Sequence, residues 1–166
     1  MPLLGVVALL QVTVAPQITI LGAKPDFMLL AVVAWSLLRG TGEGIIWGFV
    51  GGLCLSLFSG GPFALPALAL IAVGFFSGLG HTNIYRSQIA LPLVTTLVAT
   101  LIYGSFSLFL SYITGHSVGA TGRSPWLDTL LRVMLPSMVF NGLLIIPVYV
   151  AFRWLHHRTG HEELRW

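Results

Sequence analysis

Six apolar runs, with nearly every charge displaced to their ends, constrain this chain more than any other feature. They are Leu3–Leu21, Asp26–Leu38, Gly44–Phe58, Phe63–Leu79, Ile89–Ile113 and Trp126–Leu155. A helix crosses a bilayer with about 20 apolar residues, in a range of about 17–25. Only 8% of the residues are charged, against about 25% in soluble domains. A water-facing fold needs a polar coat that this sequence does not carry. With lipid tails as solvent the coat is unnecessary, and backbone polar groups are satisfied inside helices. The expected fold is an all-α integral membrane protein, a compact bundle of about six transmembrane helices. Residues 1–166 form one domain that ends in a short cytoplasmic tail, 156–166.

The runs are not uniform. Gln11, Pro16 and Gln17 interrupt the first, so the stretch Ala15–Pro25 is expected to dip into the membrane only where other helices shield its backbone. The second and third runs are short. The sixth covers roughly 45 Å at 1.5 Å per residue, against a hydrocarbon core of about 30 Å. Tilt, kinks at Pro136 and Pro147, or a cytoplasmic extension absorb the excess. Turns are expected at Arg39-Gly40-Thr41-Gly42, at Ser59-Gly60-Gly61-Pro62 and at His81-Thr82-Asn83, with a long loop from Gly115 to Ser124. Ser124 followed by Pro125 suits a helix start, and Asp128 in the first turn has Arg132 four residues on.

The net charge of +3 comes from few groups. No basic face is clustered enough to bind nucleic acid; the cations sit where they meet anionic lipid headgroups. Six spans place Arg39, Arg86, Arg153, Arg158 and Arg165 on one side, and Lys24, Arg123 and Arg132 on the other. The excess of basic residues predicts that both termini are cytoplasmic. Trp35, Trp47 and Trp154 then mark the inner interface and Trp126 the outer one. Met1-Pro2-Leu3-Leu4 lacks the basic start of a signal peptide and reads as the opening of the first span. Cys54 is the single cysteine, which precludes an internal disulfide.

The sharpest pattern is in the third run, where Gly44, Gly48, Gly52, Ser56 and Gly60 recur every fourth residue and so share one helix face. Gly74 and Gly78 repeat the device in the fourth run. Small residues let membrane helices approach closely. Two readings stand: packing within the bundle, or docking of a partner protein's helix. The fifth run carries Thr96, Thr100, Gly104, Ser107 and Ser111. Hydroxyls on membrane helices often bond their own carbonyls. With Gln11 and Asn141, Thr96 and Thr100 make a candidate polar interior, since amides in lipid must face inward. That interior either cross-links helices or lines a cavity for a neutral small molecule.

Chemistry is sparse. His157 and His161 are four apart, but Gly160 weakens any helix that would align them, and the tail reads as solvated and frayed. No acid/base pair lies within a run, and neither an HExxH zinc helix nor a nucleophile with a matched base is present. An enzyme is not expected, nor a cofactor, nor an ion-coupled pump with its buried carboxylates.

Read in order, the first half resembles the rod shape-determining protein MreD family of bacteria. The residues that carry this are Gln11 and Pro16, Leu21-Gly22, Lys24-Pro25-Asp26, Ala34-Trp35, Leu37-Leu38-Arg39-Gly40, Glu43-Gly44, Gly48-Phe49, Gly51-Gly52-Leu53, Ser56-Leu57-Phe58-Ser59-Gly60 and Pro62. The motifs cover roughly the first 80 residues, and hydropathy carries the rest. Two positions depart from the family pattern: Ser56 stands where an acidic residue is frequent, and Ala64 where glycine is frequent.

The resemblance implies a non-enzymatic inner-membrane subunit of the machinery that elongates the lateral cell wall. Its partner would be the bitopic protein MreC and, through it, the RodA glycosyltransferase and a penicillin-binding transpeptidase. Small-residue faces would hold the partner's single span. Asp26 fits as an extracytoplasmic helix cap, and Arg39 with Glu43 as a cytoplasmic turn pair. The family is also similar in build to the substrate-binding subunits of energy-coupling-factor vitamin transporters. That similarity supplies the alternative: a small-molecule binding subunit with a pocket formed by Gln11, Asn141 and the loop before Pro25.

Overall fold

The computed structural model describes residues 2–18, 24–59, 64–81, 90–113 and 134–159. They form α1 (Pro2–Thr13), α2 (Phe27–Arg39), α3 (Thr41–Ser59), α4 (Ala64–Leu79), α5 (Ala90–Ile113) and α6 (Leu135–Thr159), and no strand occurs among the described residues. The expected features at Gly60–Pro62, Arg86, Gly115–Arg132 and His161 lie outside them. The protein is an all-α membrane protein: Thr41–Phe58, Ala90–Phe109 and Leu135–Leu155 are each long and apolar enough to cross a bilayer. The other helices are shorter; α2, with 13 residues, extends only about 20 Å.

Local chemistry sets the helix ends. The first run was expected to continue to Leu21, but α1 stops at Thr13 and residues 14–17 form a turn. Pro16 has no amide hydrogen, and its ring opposes the carbonyl four residues back. The Ala15 amide reaches instead to the Leu10 carbonyl (3.2 Å), and Gln17 closes on Val14 (3.0 Å). The expected four-residue turn after α2 is also shorter, because Thr41 and Gly42 already belong to α3. Gly40 alone makes the connection, at φ +88°, a backbone region that glycine enters without steric penalty. Its amide donates to the Ser36 carbonyl (2.8 Å), and its carbonyl accepts from the Gly44 amide (3.1 Å). At the other end of the chain, α6 continues through Thr159 rather than ending at Leu155, with Pro147 inside it.

The short α2 is the centre of the bundle. Met28 to Leu37 are buried on every side, and α2 packs against all five other helices. A helix that is apolar all round belongs in such a place. Asp26 meets Asn141 at one end and Trp35 meets Phe152 at the other, so α2 and α6 run parallel. Trp35 and Trp47 stack with centroids 4.2 Å apart, and Phe152 stands edge-on to both. Outward faces are apolar as well. On α6, Leu135, Val139, Leu143, Ile146, Val150 and Trp154 are exposed at helical spacing, as a surface solvated by lipid requires.

Candidate functional site: the glycine face and the two ends of α2

The small-residue stripe on α3 lies against α4, antiparallel to it. A Cβ placed on Gly48 would stand 2.6 Å from the Leu70 carbonyl carbon and 2.9 Å from the Ile71 nitrogen. On Gly52 it would stand 2.6 Å from the Ala67 nitrogen, and on Gly44 2.6 Å from the Gly74 carbonyl oxygen. From the α4 side, a Cβ on Gly74 would meet the Gly44 carbonyl carbon at 2.6 Å, and one on Gly78 the Thr41 nitrogen at 2.5 Å. At Gly48, Gly74 and Gly78 the obstacles are all backbone, which cannot yield as a side chain can; at Gly44 the Ser36 side chain of α2 stands in the way as well, and at Gly52 the Ala67 Cβ. Ser56 is buried at the end of the stripe and donates to the Gly52 carbonyl (2.8 Å). Of the two readings open from the sequence, the face is occupied by packing within the chain. In the single chain α4 fills it.

The start of α2 is closed by side chains from three parts of the chain. The first amides of a helix lack partners within it. Asp26 precedes the helix, and its Oδ1 accepts from the Leu29 amide (3.2 Å), an N-cap. Gln11 of α1 accepts from the Phe27 amide through Oε1 (2.6 Å) and donates through Nε2 to the Pro25 carbonyl (3.3 Å). Asn141 of α6 accepts from the Asp26 amide through Oδ1 (3.1 Å). Its Nδ2 donates to Thr100 Oγ1 (3.2 Å), which donates to the Thr96 carbonyl (2.8 Å); the Thr96 hydroxyl donates to the Pro92 carbonyl (2.7 Å). Gln11 and Asn141, the latter through Thr100, thus cross-link helices, while the Thr96 hydroxyl bonds back within α5.

A cavity does exist at this end, but Asn141 is not among its lining residues. It measures about 280 Å³ and is lined by Gln11, Val12, Ala15, Pro16, Lys24, Leu55, Pro66 and Tyr103. Lys24 is exposed beside it. Of the pocket expected from Gln11, Asn141 and the loop before Pro25, the structure joins Gln11 with Lys24 and adds Tyr103. Neither α5 periodicity nor spacing distinguished that tyrosine from its apolar neighbours.

The other end of α2 carries a second polar group. Arg39 and Glu43 face each other across Gly40 at 3.3 Å. Glu43 also accepts from the Trp35 indole nitrogen (2.9 Å), and the Arg39 guanidinium lies 5.4 Å from the Trp35 ring centroid. One carboxylate thereby holds the cation and the aromatic in register. His81, just after α4, is hydrogen-bonded through Nδ1 to the Leu37 carbonyl (2.8 Å), one of the last carbonyls of α2. Sequence reading named Arg39 and Glu43 but missed the Trp35 indole as a donor to Glu43 and His81 on the Leu37 carbonyl, since only Gly40's sharp turn and the return of α4 bring these groups together.

No curated protein and no solved structure matches the chain. The family model described as rod shape-determining protein MreD matches residues 1–157, which takes in the glycine face, both ends of α2 and nearly all of α6. The chain belongs to the rod shape-determining protein MreD family.

Proposed function

We propose that this rod shape-determining membrane protein is a non-enzymatic scaffold subunit of the lateral-wall elongation complex in the bacterial inner membrane. In this reading it crosses the membrane several times, with both termini cytoplasmic, and binds an MreC-type bitopic protein. Through that partner it supports the RodA glycosyltransferase and a penicillin-binding transpeptidase. The observation that carries the reading is the family match over residues 1–157. The use of the inward polar groups supports it: Gln11 ties α1 to the start of α2, and Asn141 ties α6 to that same end and to Thr100 of α5. A rigid bundle that fixes the direction of a neighbouring span suits a scaffold. Because α4 fills the glycine face of α3, docking falls to an outward apolar face, where dispersion contacts replace lipid.

Detergent co-purification with an MreC-type partner tests this. Wild-type protein is expected to retain the partner, and alanine substitutions on one outward face, Phe49 with Phe75 or Val139 with Leu143, are expected to release it while the bundle stays folded. A wild type that purifies alone and retains a vitamin-sized compound by mass spectrometry refutes the scaffold reading in favour of the transporter-subunit alternative.

A further inference from the structure

Lys24 is exposed, yet it stands level with the middle of a membrane-spanning helix. It lines the cavity at the start of α2 together with Gln11, Leu55, Pro66 and Tyr103. Tyr103 lies roughly 20 Å along α5 from Ala90, with about 15 Å of helix still to run to Ile113. The start of α5 is in turn level with the end of α2, since a Cβ on Gly80 would meet Leu37 Cδ2 at 3.0 Å and Leu91 Cδ1 at 3.8 Å. Asp26 meets Gln11 and Asn141 beside Lys24, and its carboxylate acts electrostatically on Tyr103. The polar groups at the two ends of α2, a helix of 13 residues, are thus about 20 Å apart, against a hydrocarbon core of about 30 Å. Hydrocarbon of that thickness would bury an exposed ammonium, which lipid disfavours.

The outward apolar surface has two heights. Exposed apolar side chains run from Leu68 to Leu79 on α4 and from Ile45 to Phe58 on α3, belts of roughly 17 and 20 Å. The partly exposed Glu43 bounds the α3 belt at one end, and Lys24 stands beside Leu55 near the other. On α6 the exposed apolar residues run from Leu135 to Trp154, roughly 28 Å. They begin about 9 Å before Asn141, which marks the height of Asp26. On α5, Phe109 is exposed well beyond Tyr103. α3 packs on α4 and α5 on α6, so the short belts adjoin each other and so do the long ones.

A bilayer meets a short apolar belt by thinning. We propose that the protein thins the bilayer along its α3–α4 flank by roughly 10 Å, drawing headgroups and water down to Lys24, while α5 and α6 stand in hydrocarbon of full thickness. The surface fits a lipid annulus with a step in it, and the ammonium of Lys24 stays hydrated without leaving the bundle. The inference rests on the chain's being a membrane protein and is independent of the scaffold partner.

Leu57 and Val139 supply the test, since both are exposed near the height of Lys24. Leu57 follows Leu55 of the cavity wall by two residues, and Val139 precedes Asn141 by two. Leu57→Cys and Val139→Cys are each combined with Cys54→Ser in the full-length chain and placed in dioleoyl phosphatidylcholine nanodiscs, where both membrane faces are open. A charged maleimide needs a hydrated thiolate, so Leu57→Cys is expected to react at least about tenfold faster than Val139→Cys. Phe58→Cys and Leu143→Cys, also at exposed positions, repeat the comparison if either first variant misfolds. The wild type is further expected to melt at higher temperature in dimyristoleoyl than in dierucoyl phosphatidylcholine, whose longer chains enlarge the mismatch. Equal rates at the paired sites, whether both fast or both slow, or an equal or reversed order of melting, overturn the proposal.

Discussion

Adding one methyl group at Gly48 should be among the most damaging small changes available to this protein. The new carbon would sit 2.6 Å from the Leu70 carbonyl carbon and 2.9 Å from the Ile71 nitrogen, where non-bonded carbons prefer about 3.5–4.0 Å. Relief requires that α3 and α4 separate by roughly 1 Å, because both obstacles are backbone. Overpacking of this kind costs about 1–3 kcal/mol, a factor of about 5 to 160 in the folding equilibrium. Lipid does not drive helices together by apolarity, so lost close contact is not recovered by burial. Gly142→Ala is the control, since its Cβ would meet only Leu93 Cδ1 at 3.5 Å and Leu97 Cδ2 at 3.8 Å, ordinary contacts with flexible side chains. The assay is unfolding by denaturing detergent, followed through the fluorescence of the stacked Trp35 and Trp47. Gly48→Ala is expected to unfold at clearly lower denaturant than Gly142→Ala. Coincident transitions would refute the close α3–α4 contact.

Three further outcomes follow from the ends of α2. Asn141→Leu leaves the Asp26 amide without its acceptor and the Thr100 oxygen without its Asn141 donor and should destabilise by about 1–3 kcal/mol; a double-mutant cycle with Thr100→Val by the same unfolding assay should show non-additivity, and strict additivity would deny the bond. Gly40→Ala forces a side chain into φ +88° and should cost about 1–3 kcal/mol, read as a lowered melting temperature in detergent. Glu43→Gln keeps an acceptor for the Trp35 indole but loses the partly exposed ion pair with Arg39. It should therefore cost under about 1 kcal/mol, with Glu43→Ala the more damaging by thermal melts.

The small-residue stripe illustrates the limit of local reading. Its four-residue spacing is visible in the sequence, and the spacing alone guarantees a flat face. What meets that face depends on where the chain returns. Residues 14–17 are a similar case: Pro16 announces the break in α1, but the partner of Gln11 lies on α2, beyond residues whose spacing sets no geometry. Ser56 carries no signal of its own. Its hydroxyl back-bonds to Gly52 and so completes the stripe.

From the sequence alone came the helices, most of their ends, the capping role of Asp26 and the proximity of Arg39 to Glu43. These rest on hydropathy, proline, glycine and contacts three or four residues apart, all of which act locally. Tertiary structure alone decided that α2 is the central helix, that α4 fills the glycine face, and that Gln11 and Asn141 close the same helix end from 16 and 115 residues away. In water, apolar periodicity separates inside from outside. In lipid both faces of a helix are apolar, so only backbone proximity and the pairing of scarce polar groups reveal which side is core.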